Sequence, residues 1–198
     1  MPFLYKLLDM FPKKICFCED KNNFDYICRS KDLILLSGGN FHRKKNKYNQ
    51  FVNNYKYHVK ELDNNSVVED CIYISQKWFE ERGNNDSMLK YELDGIKEVL
   101  PNFDLLGIKG VAVYIDNKIS GFTAGEKLNS KMGVIHFEKA DTSYNGIYEF
   151  MNKTFVEKYF SDVEYVNMQE DLGIKGLRKA KKAYNPVKLE KKFIMNLI

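Results

Sequence analysis

Two polar residues, His136 and Glu138, lie two positions apart in an alternating segment, 132–139. Alternation is typical of a strand, in which residues i and i+2 project to the same face of a sheet. We therefore expect His136 and Glu138 to lie side by side, with Ile135 and Phe137 on the opposite face. A neighbouring imidazole and carboxylate are the minimum that general base catalysis requires. The simpler alternative is a half-buried strand with a solvated polar face.

A second segment whose residues could take part in catalysis or binding, QEDLGIKGLRKAK, runs from Gln169 to Lys181 and joins a strand end to a helix. Free backbone amides gather at such a junction and can hold an anion or an oxyanion. We expect Arg178 and Lys181 to grip a phosphate there. The alternative is structural, because Glu170 and Asp171 before the helix and cations along it also match the helix dipole.

The apolar stripe of that helix is predicted to consist of Ile174, Leu177, Ala180 and Tyr184. These positions recur at helical spacing and would pack against the sheet. The stripe would leave Arg178 exposed, with Lys181 at its margin.

The basic residues are concentrated in two places, although the net charge is only +4. Residues 42–47 carry +4 and residues 173–198 carry +7, so the rest of the chain carries −7. Two basic clusters on an acidic body are typical of a polyanion site, although solvated helix faces are an equally simple explanation. If both serve one polyanion, helices 41–55 and 174–184 should line the same surface.

Hydrophobic periodicity predicts the elements that position these residues. From residue 56 the predicted order is β-α-α-β-β-β-α-β-α-β, with a turn at 83–85 between the first two helices. These elements span 56–62, 66–82, 86–100, 108–115, 118–126, 132–139, 144–160, 163–167, 174–184 and 187–196. Before them we predict a helix at 3–11, strands at 14–18 and 24–28, a short helix beginning at Ser30, and the basic amphipathic helix 41–55.

The composition is that of an ordinary globular protein, with 198 residues, 44% hydrophobic and 14% aromatic. No apolar stretch approaches the length of a membrane helix, so we expect a cytoplasmic chain. Its cysteines show no metal-ligand spacing and are predicted to be reduced core thiols without a metal; they are Cys16, Cys18, Cys28 and Cys71.

Four motifs resemble the C-terminal domain of lysylphosphatidylglycerol synthases, and most closely its soluble bacterial relatives without a membrane part. They are LSGGNFHRKKNKYNQF, GFTAGEKLN, VIHFEKAD and YVNMQEDLGIKGLRKAKKAYNP. The resemblance implies an α+β chain with a mixed sheet and the GNAT acyltransferase fold. That family contains two GNAT-like units in tandem. Residues 56–198 would form a complete unit, and residues 1–55 would be a remnant of the preceding unit with a basic connecting helix.

The resemblance also implies a reaction, transfer of an aminoacyl group from aminoacyl-tRNA to a hydroxyl or amine such as that of phosphatidylglycerol. Glu138 with His136 would act as base, and Arg178 as a catalytic cation. Arg43, Lys44 and Lys47 would dock tRNA or an anionic lipid headgroup, the latter by peripheral membrane contact. The remaining predicted binding residues are Asn167, Glu170, Asp171, Lys181 and Tyr184.

Coenzyme A is disfavoured as the donor by the loop at 141–148. Acetyl-CoA-dependent GNAT enzymes carry small residues there, whose amides bind pyrophosphate, whereas this loop has only Gly146 and places Tyr148 at the second small position. Two alternatives stay open, a CoA-dependent N-acetyltransferase and a catalytically silent tRNA-binding relative.

The apolar residues near the N-terminus would have no intramolecular partner if the first GNAT-like unit is a remnant. These residues are Phe3, Leu4, Leu7 and Phe11. Because exposed apolar patches usually mark an interface, we expect a homo-oligomer or a separate partner chain.

Overall fold

The computed structural model describes residues 2–82 and 87–198, so the predicted turn at 83–85 lies outside the described residues. The helices are α1 Pro2–Met10, α2 Ser30–Leu35, α3 His42–Asn54, α4 Asn65–Arg82, α5 Ser87–Val99, α6 Phe103–Leu106, α7 Ile147–Tyr159 and α8 Lys175–Lys182. The strands are β1 Ile15–Glu19, β2 Asp25–Arg29, β3 Tyr57–Glu61, β4 Lys109–Ile115, β5 Lys118–Asn129, β6 Met132–Ala140, β7 Tyr165–Asn167, β8 Lys188–Glu190 and β9 Phe193–Leu197.

A mixed seven-stranded sheet of order β3-β4-β5-β6-β7-β2-β8 forms the body of the molecule. Neighbouring strands are antiparallel except β6 and β7, which are parallel. The parallel pairing joins Met132–Val134 to Tyr165–Asn167, where β7 ends. The rest of β6 therefore continues beyond the end of its neighbour, and the sheet opens at this point.

The first 55 residues contribute directly to this sheet. Strand β2 lies between β7 and β8, and β1 pairs with β9 in a separate two-stranded sheet. The sheet therefore crosses the predicted boundary at residue 55, although the derivation of residues 1–55 from a preceding unit stays a prediction. The single final strand predicted at 187–196 is two strands, because β8 follows β2 whereas β9 follows β1.

Side chains alternate along β4 and β5, so each face of the sheet carries apolar residues. Helices cover both faces. On one face Val111 packs in a core with Phe155 of α7. On the other face Ala112 and Phe122 pack in a core with Val67 of α4. Helix α3 adds the buried Phe51 to the α7 face, where its ring stacks on that of Phe150.

The predicted exposure of apolar side chains near the N-terminus is confirmed for two of the four residues, Phe3 of α1 and Phe11 just after it. Phe3 is 70% exposed and Phe11 43% exposed, whereas Leu4 and Leu7 are half-buried. A second copy or a partner chain over this surface stays a prediction. Across residues 2–82 and 87–198, no helix combines the length and the apolar character needed to cross a membrane.

Two of the four cysteines are not core thiols. Cys16 and Cys18 are exposed on β1, whereas Cys28 and Cys71 are buried as predicted. The reason is the position of β1, which pairs only with β9 outside the main sheet in the described topology.

Gly146, immediately before α7, lies in close contact with the backbone of helix α3. Its φ of +87° is a conformation that favours glycine, and a Cβ there would lie 2.0 Å from the backbone oxygen of Lys47. The backbone of α3 and the α7 N-terminus can approach this closely only because residue 146 has no side chain.

We expect Gly146→Ala to lower the free energy of unfolding by about 2 kcal/mol or more, because it adds both backbone strain and this clash. Urea denaturation measures the change. The matched control is Gly95→Ala in α5, where a Cβ meets nothing within 4 Å and the gain in helix propensity should stabilise the protein by about 0.5–1 kcal/mol. Equal stability of Gly146→Ala and wild type would contradict the close approach of α3 to α7.

Candidate functional site

A β-bulge in β6 separates the two residues that the sequence places together. In the pairing of β5 with β6, Ala124 lies opposite Phe137 and Gly125 opposite Ile135, so His136 is an extra residue between them. Ile135 packs with the α7 core and Phe137 against the α4 core. The predicted arrangement, with Ile135 and Phe137 on one face and a His136–Glu138 pair on the other, is therefore wrong.

His136 instead contacts residues of neighbouring elements. Its Nε2 lies 3.0 Å from Oε1 of Glu126, and its Nδ1 lies 3.2 Å from Nε2 of Gln169. It lines a small cleft of about 260 Å³ with apolar side chains, among them Val99 and Ile108. Since both ring nitrogens have partners, His136 is placed to orient Glu126 and the segment after β7 rather than to act as the free base.

Glu138 lies on the α7 side of the sheet, where β6 has passed the end of β7. The hydroxyl of Thr123 on β5 donates to its Oε1 at 3.3 Å. Burial raises the pKa of Glu138 to about 7, against the opposing effects of Lys181, Asn152, Thr123 and Lys44. A carboxylate with a pKa near neutrality can take and release a proton, which is what a general base needs.

Each of the two basic clusters contributes one lysine near this carboxylate, the buried Lys44 and the half-buried Lys181. Lys44 of α3 lies 3.1 Å from Oε1 of Glu149 and 3.7 Å from the ring centre of Tyr184. Lys181 of α8 donates to the backbone oxygens of Met168 and Glu170, each at 2.5 Å. Burial lowers the pKa of both lysines. One lysine of each basic cluster therefore lies near Glu138, whereas a common surface for the exposed cations of the two helices stays a prediction.

The prediction that Lys44 belongs to an outer docking surface is wrong. Its side chain is buried because α3 packs with this residue toward α7, where Glu149 compensates the charge. Lys47, one turn along, is half-exposed and lies 3.7 Å from the same carboxylate. Arg43 is exposed and remains available at the surface.

Arg178 is engaged in the structure of the loop before α8 rather than free to grip a phosphate. Its Nε and Nη2 each donate to Asp171 at 2.8 Å, and Nη2 also lies 3.0 Å from Oδ1 of Asn22. The Tyr26 hydroxyl and the amide of Gly173 donate to the same carboxylate. The hydrogen bond from Arg178, assisted by those of Tyr26 and Gly173, lowers the pKa of Asp171 to about 2.

The stripe predicted for α8 is confirmed for Leu177 and Tyr184 and wrong for the other two residues. Ile174 and Ala180 are exposed, whereas Leu177, Arg178 and Lys181 face the protein. Arg178 and Lys181 replace apolar residues on the inner face because they bind polar groups of the loop that follows β7.

The other predicted binding residues hold the end of that loop. Asn167 donates to Oδ2 of Asp25 at 3.0 Å and accepts the backbone amide of Gln169 at 2.7 Å. Glu170 lies 3.0 Å from Nζ of Lys192. Tyr184 is buried beneath Lys44.

Three backbone amides of the loop before α7, those of Ser143, Tyr144 and Asn145, are bonded within the protein. The amide of Asn145 donates to the hydroxyl of Tyr55 at 3.1 Å, and its side chain donates to Gln50 at 2.7 Å. Asp141 accepts the amide of Ser143 through its side chain and that of Tyr144 through its backbone oxygen. Helix α3 and Tyr55, which follows it, therefore cover the N-terminus of α7.

Three further residues of the site carry no signal in the sequence. Thr123 and Asn152 are fully buried beside Glu138, and Glu149 is buried beside Lys44. Each is an isolated polar residue in an amphipathic segment, and only the packing of α7 on β5 and β6 brings them together.

We expect Arg178→Ala to lower the melting temperature, because the buried carboxylate of Asp171 loses its charged partner. The lowered pKa of Asp171 stabilises the folded state above the ordinary carboxyl pKa and ceases to do so as pH falls toward 2. The difference in melting temperature between Arg178→Ala and wild type should therefore become smaller below about pH 4. Lys179→Ala, at an exposed neighbouring position, is the control. Unchanged melting of Arg178→Ala with loss of anion binding would restore the phosphate-gripping role.

Solved structures with the same fold place this arrangement among known proteins. A conserved protein of unknown function from Bacteroides thetaiotaomicron matches with a TM-score of 0.91 and 32% identity over 100% of this chain. The C-terminal domain of a putative lysylphosphatidylglycerol synthetase from Agrobacterium fabrum matches with a TM-score of 0.67 and 15% identity over 99% of it. A tandem GNAT protein from the clavulanic acid biosynthesis pathway has a TM-score of 0.56 and 7% identity over 100% of it. The chain spans 67%, 64% and 59% of the lengths of these structures.

The mixed sheet, which opens between β6 and β7, is that of GNAT acyltransferases, as the sequence predicted. The family described as phosphatidylglycerol lysyltransferase, C-terminal, matches residues 5–196. Since that match covers nearly the whole chain, the protein belongs to the phosphatidylglycerol lysyltransferase C-terminal family and has a GNAT-like fold.

Proposed function

We propose that this protein transfers an aminoacyl group from aminoacyl-tRNA to a hydroxyl or amine acceptor, such as the headgroup of phosphatidylglycerol. The observation that supports this most is Glu138, a recessed carboxylate with a pKa of about 7 where the sheet opens. Family membership supports the same class of reaction.

In the proposed reaction, the acceptor oxygen or nitrogen attacks the ester carbonyl of the aminoacyl donor. Glu138 takes the proton from the acceptor as the new bond forms. The ester bond then breaks, and the same proton passes to the departing ribose oxygen of the tRNA. No redox change and no further reactant are required, so one carboxyl group with a pKa near neutrality is sufficient for both proton transfers.

Lys181 and Lys44 supply the positive field around this reaction. Lys44 is buried and Lys181 half-buried, both act on Glu138, and the carbonyls of Met168 and Glu170 fix the position of the Lys181 ammonium. Fixed positive charge in a partly dehydrated site stabilises the oxyanion that develops on the ester carbonyl. The two lysines therefore take the role that the sequence assigned to Arg178.

The exposed cations of the two basic helices would bind the polyanionic part of the donor. They are Arg43 and Lys47 on α3 and Lys175, Lys179 and Lys182 on α8. The same helices carry Lys44 and Lys181 to Glu138, so a tRNA bound along them has its acceptor end near the carboxylate. An anionic lipid headgroup would use the same charges.

Coenzyme A is not the donor in this proposal. Its pyrophosphate would require free amides at the start of α7, but the amide of Asn145 is bonded to Tyr55 and α3 packs against Gly146. Tyr148 adds to this. It occupies the position where a small residue would leave room for the phosphates, and it is half-buried there, with its pKa raised by burial.

We expect the purified protein to discharge tRNA that carries labelled amino acids when phosphatidylglycerol vesicles or a simple amine are present. Glu138→Gln should reduce the rate by about 10²- to 10⁴-fold, the usual contribution of a general base. Glu157→Gln, an exposed carboxylate on α7, is the control. The wild-type rate should rise with pH through about 7, because Glu138 must be ionised to accept a proton. Binding of tRNA without any turnover would instead favour the silent relative.

Calorimetry with acetyl-CoA and with tRNA tests the choice of donor. We expect no heat with acetyl-CoA, and binding of tRNA that weakens steeply as salt rises, because phosphate contacts release counterions. Replacing the exposed Lys179 and Lys182 with Ala should reduce that salt dependence. Tight binding of acetyl-CoA would favour the N-acetyltransferase alternative.

A further inference from the structure

Asn152 is a buried polar residue with no bonding partner for its amide. It is 0% exposed in the middle of α7, and neither its Oδ1 nor its Nδ2 has a hydrogen-bond partner among the described residues. Buried amides are nearly always hydrogen-bonded, because an unpaired one costs free energy. An amide in this position therefore requires a reason other than packing.

The neighbour of Asn152 supplies such a reason. Helix α7 packs on the sheet face that carries Thr123 and Glu138. The Asn152 side chain lies close enough to Glu138 to favour the ionised carboxylate, and the Thr123 hydroxyl is bonded to Oε1 of the same group. The carboxylate is thus flanked by a hydroxyl from β5 and an amide from α7.

We propose that Asn152 is a positioning residue for Glu138, holding the carboxyl group in place in both of its protonation states. The inference rests on the proposed role of Glu138 as the base. An amide suits this task because it offers donors on Nδ2 and an acceptor on Oδ1. Nδ2 donates to the carboxylate before proton transfer, and Oδ1 accepts from the carboxylic acid after it. A small rotation of either side chain makes each contact.

Lys44 and Lys181 cannot hold the carboxyl group of Glu138 in both of its protonation states. Lys181 is held by two backbone oxygens and Lys44 by Glu149, and an ammonium group has no acceptor for the protonated carboxyl. Thr123 reaches one oxygen of Glu138. Asn152 and Thr123 are therefore the two nearby side chains that can donate to the ionised carboxylate and accept from the protonated one.

The test replaces Asn152 with Leu, whose side chain has the same number and branching of heavy atoms and no polar atoms. The pKa of Glu138 is followed in the free protein by NMR of carboxyl-labelled glutamate. We expect it to rise above about 7, because the bond from Nδ2 to the ionised carboxylate is charge-assisted and is the stronger of the two contacts removed. Stability should change little, since the lost contact with Glu138 is offset by burial of an apolar side chain. Met151→Leu, the adjacent buried residue, is the control and should leave the pKa unchanged.

In a transfer assay, Asn152→Leu should move the rise of the rate to higher pH while the rate at high pH is largely kept. Asn152→Ala is the second variant and should raise the pKa of Glu138 in the same direction if Asn152→Leu does not fold. An unchanged pKa of Glu138 in a folded variant overturns the proposal. Because the NMR titration needs no substrate, it tests the positioning role even if the protein transfers no aminoacyl group.

Discussion

The short parallel pairing between β6 and β7 is the constraint on which the site depends. Only Met132–Val134 pair with β7, which ends at Asn167, so the polar backbone beyond that point lies where the sheet opens. Side chains of the following segment occupy the gap, with Gln169 on His136 and Lys181 on the carbonyls of Met168 and Glu170. The segment after β7 and Lys181 thereby fill the space beside Glu138 that a continued β7 would have occupied.

Burial and charge act against each other in that space. Dehydration favours the neutral forms of Glu138, Lys44 and Lys181, and the attraction between these groups favours the charged forms. For Glu138 the burial is stronger, which brings its pKa near neutrality. The Asp171–Arg178 pair shows the opposite balance, because direct hydrogen bonds exceed the effect of burial and lower the pKa of Asp171. Asp171 and Arg178 therefore both stay charged near neutral pH and support the loop before α8, whereas Glu138 can gain or lose a proton.

The sequence predicted most of the fold because periodicity depends on local patterns of apolar residues. Strands β4 to β6 and helix α7 lie within a few residues of their predicted positions. The pairing of His136 with Glu138 failed because a β-bulge is decided by register with β5, which one strand does not reveal. The exposure predicted for Arg178 and Lys44 was wrong, because a cation on a helix looks solvent-exposed until its partner, Asp171 or Glu149, is brought from elsewhere. Of the predicted site, Glu138 and Lys181 lie together.

Helix α3 links the choice of donor to the electrostatics of the site. The same helix places Lys44 beside Glu149 and, through the residue after its end, Tyr55 on the amide of Asn145. Freeing the amides at the start of α7 for a pyrophosphate would require α3 to move away from Gly146, and that movement would also withdraw Lys44 from the neighbourhood of Glu138. The closed loop and the buried lysine are therefore two consequences of one packing contact. A donor whose phosphates stay on the outer faces of α3 and α8 leaves that contact intact, whereas one that enters the loop must break it.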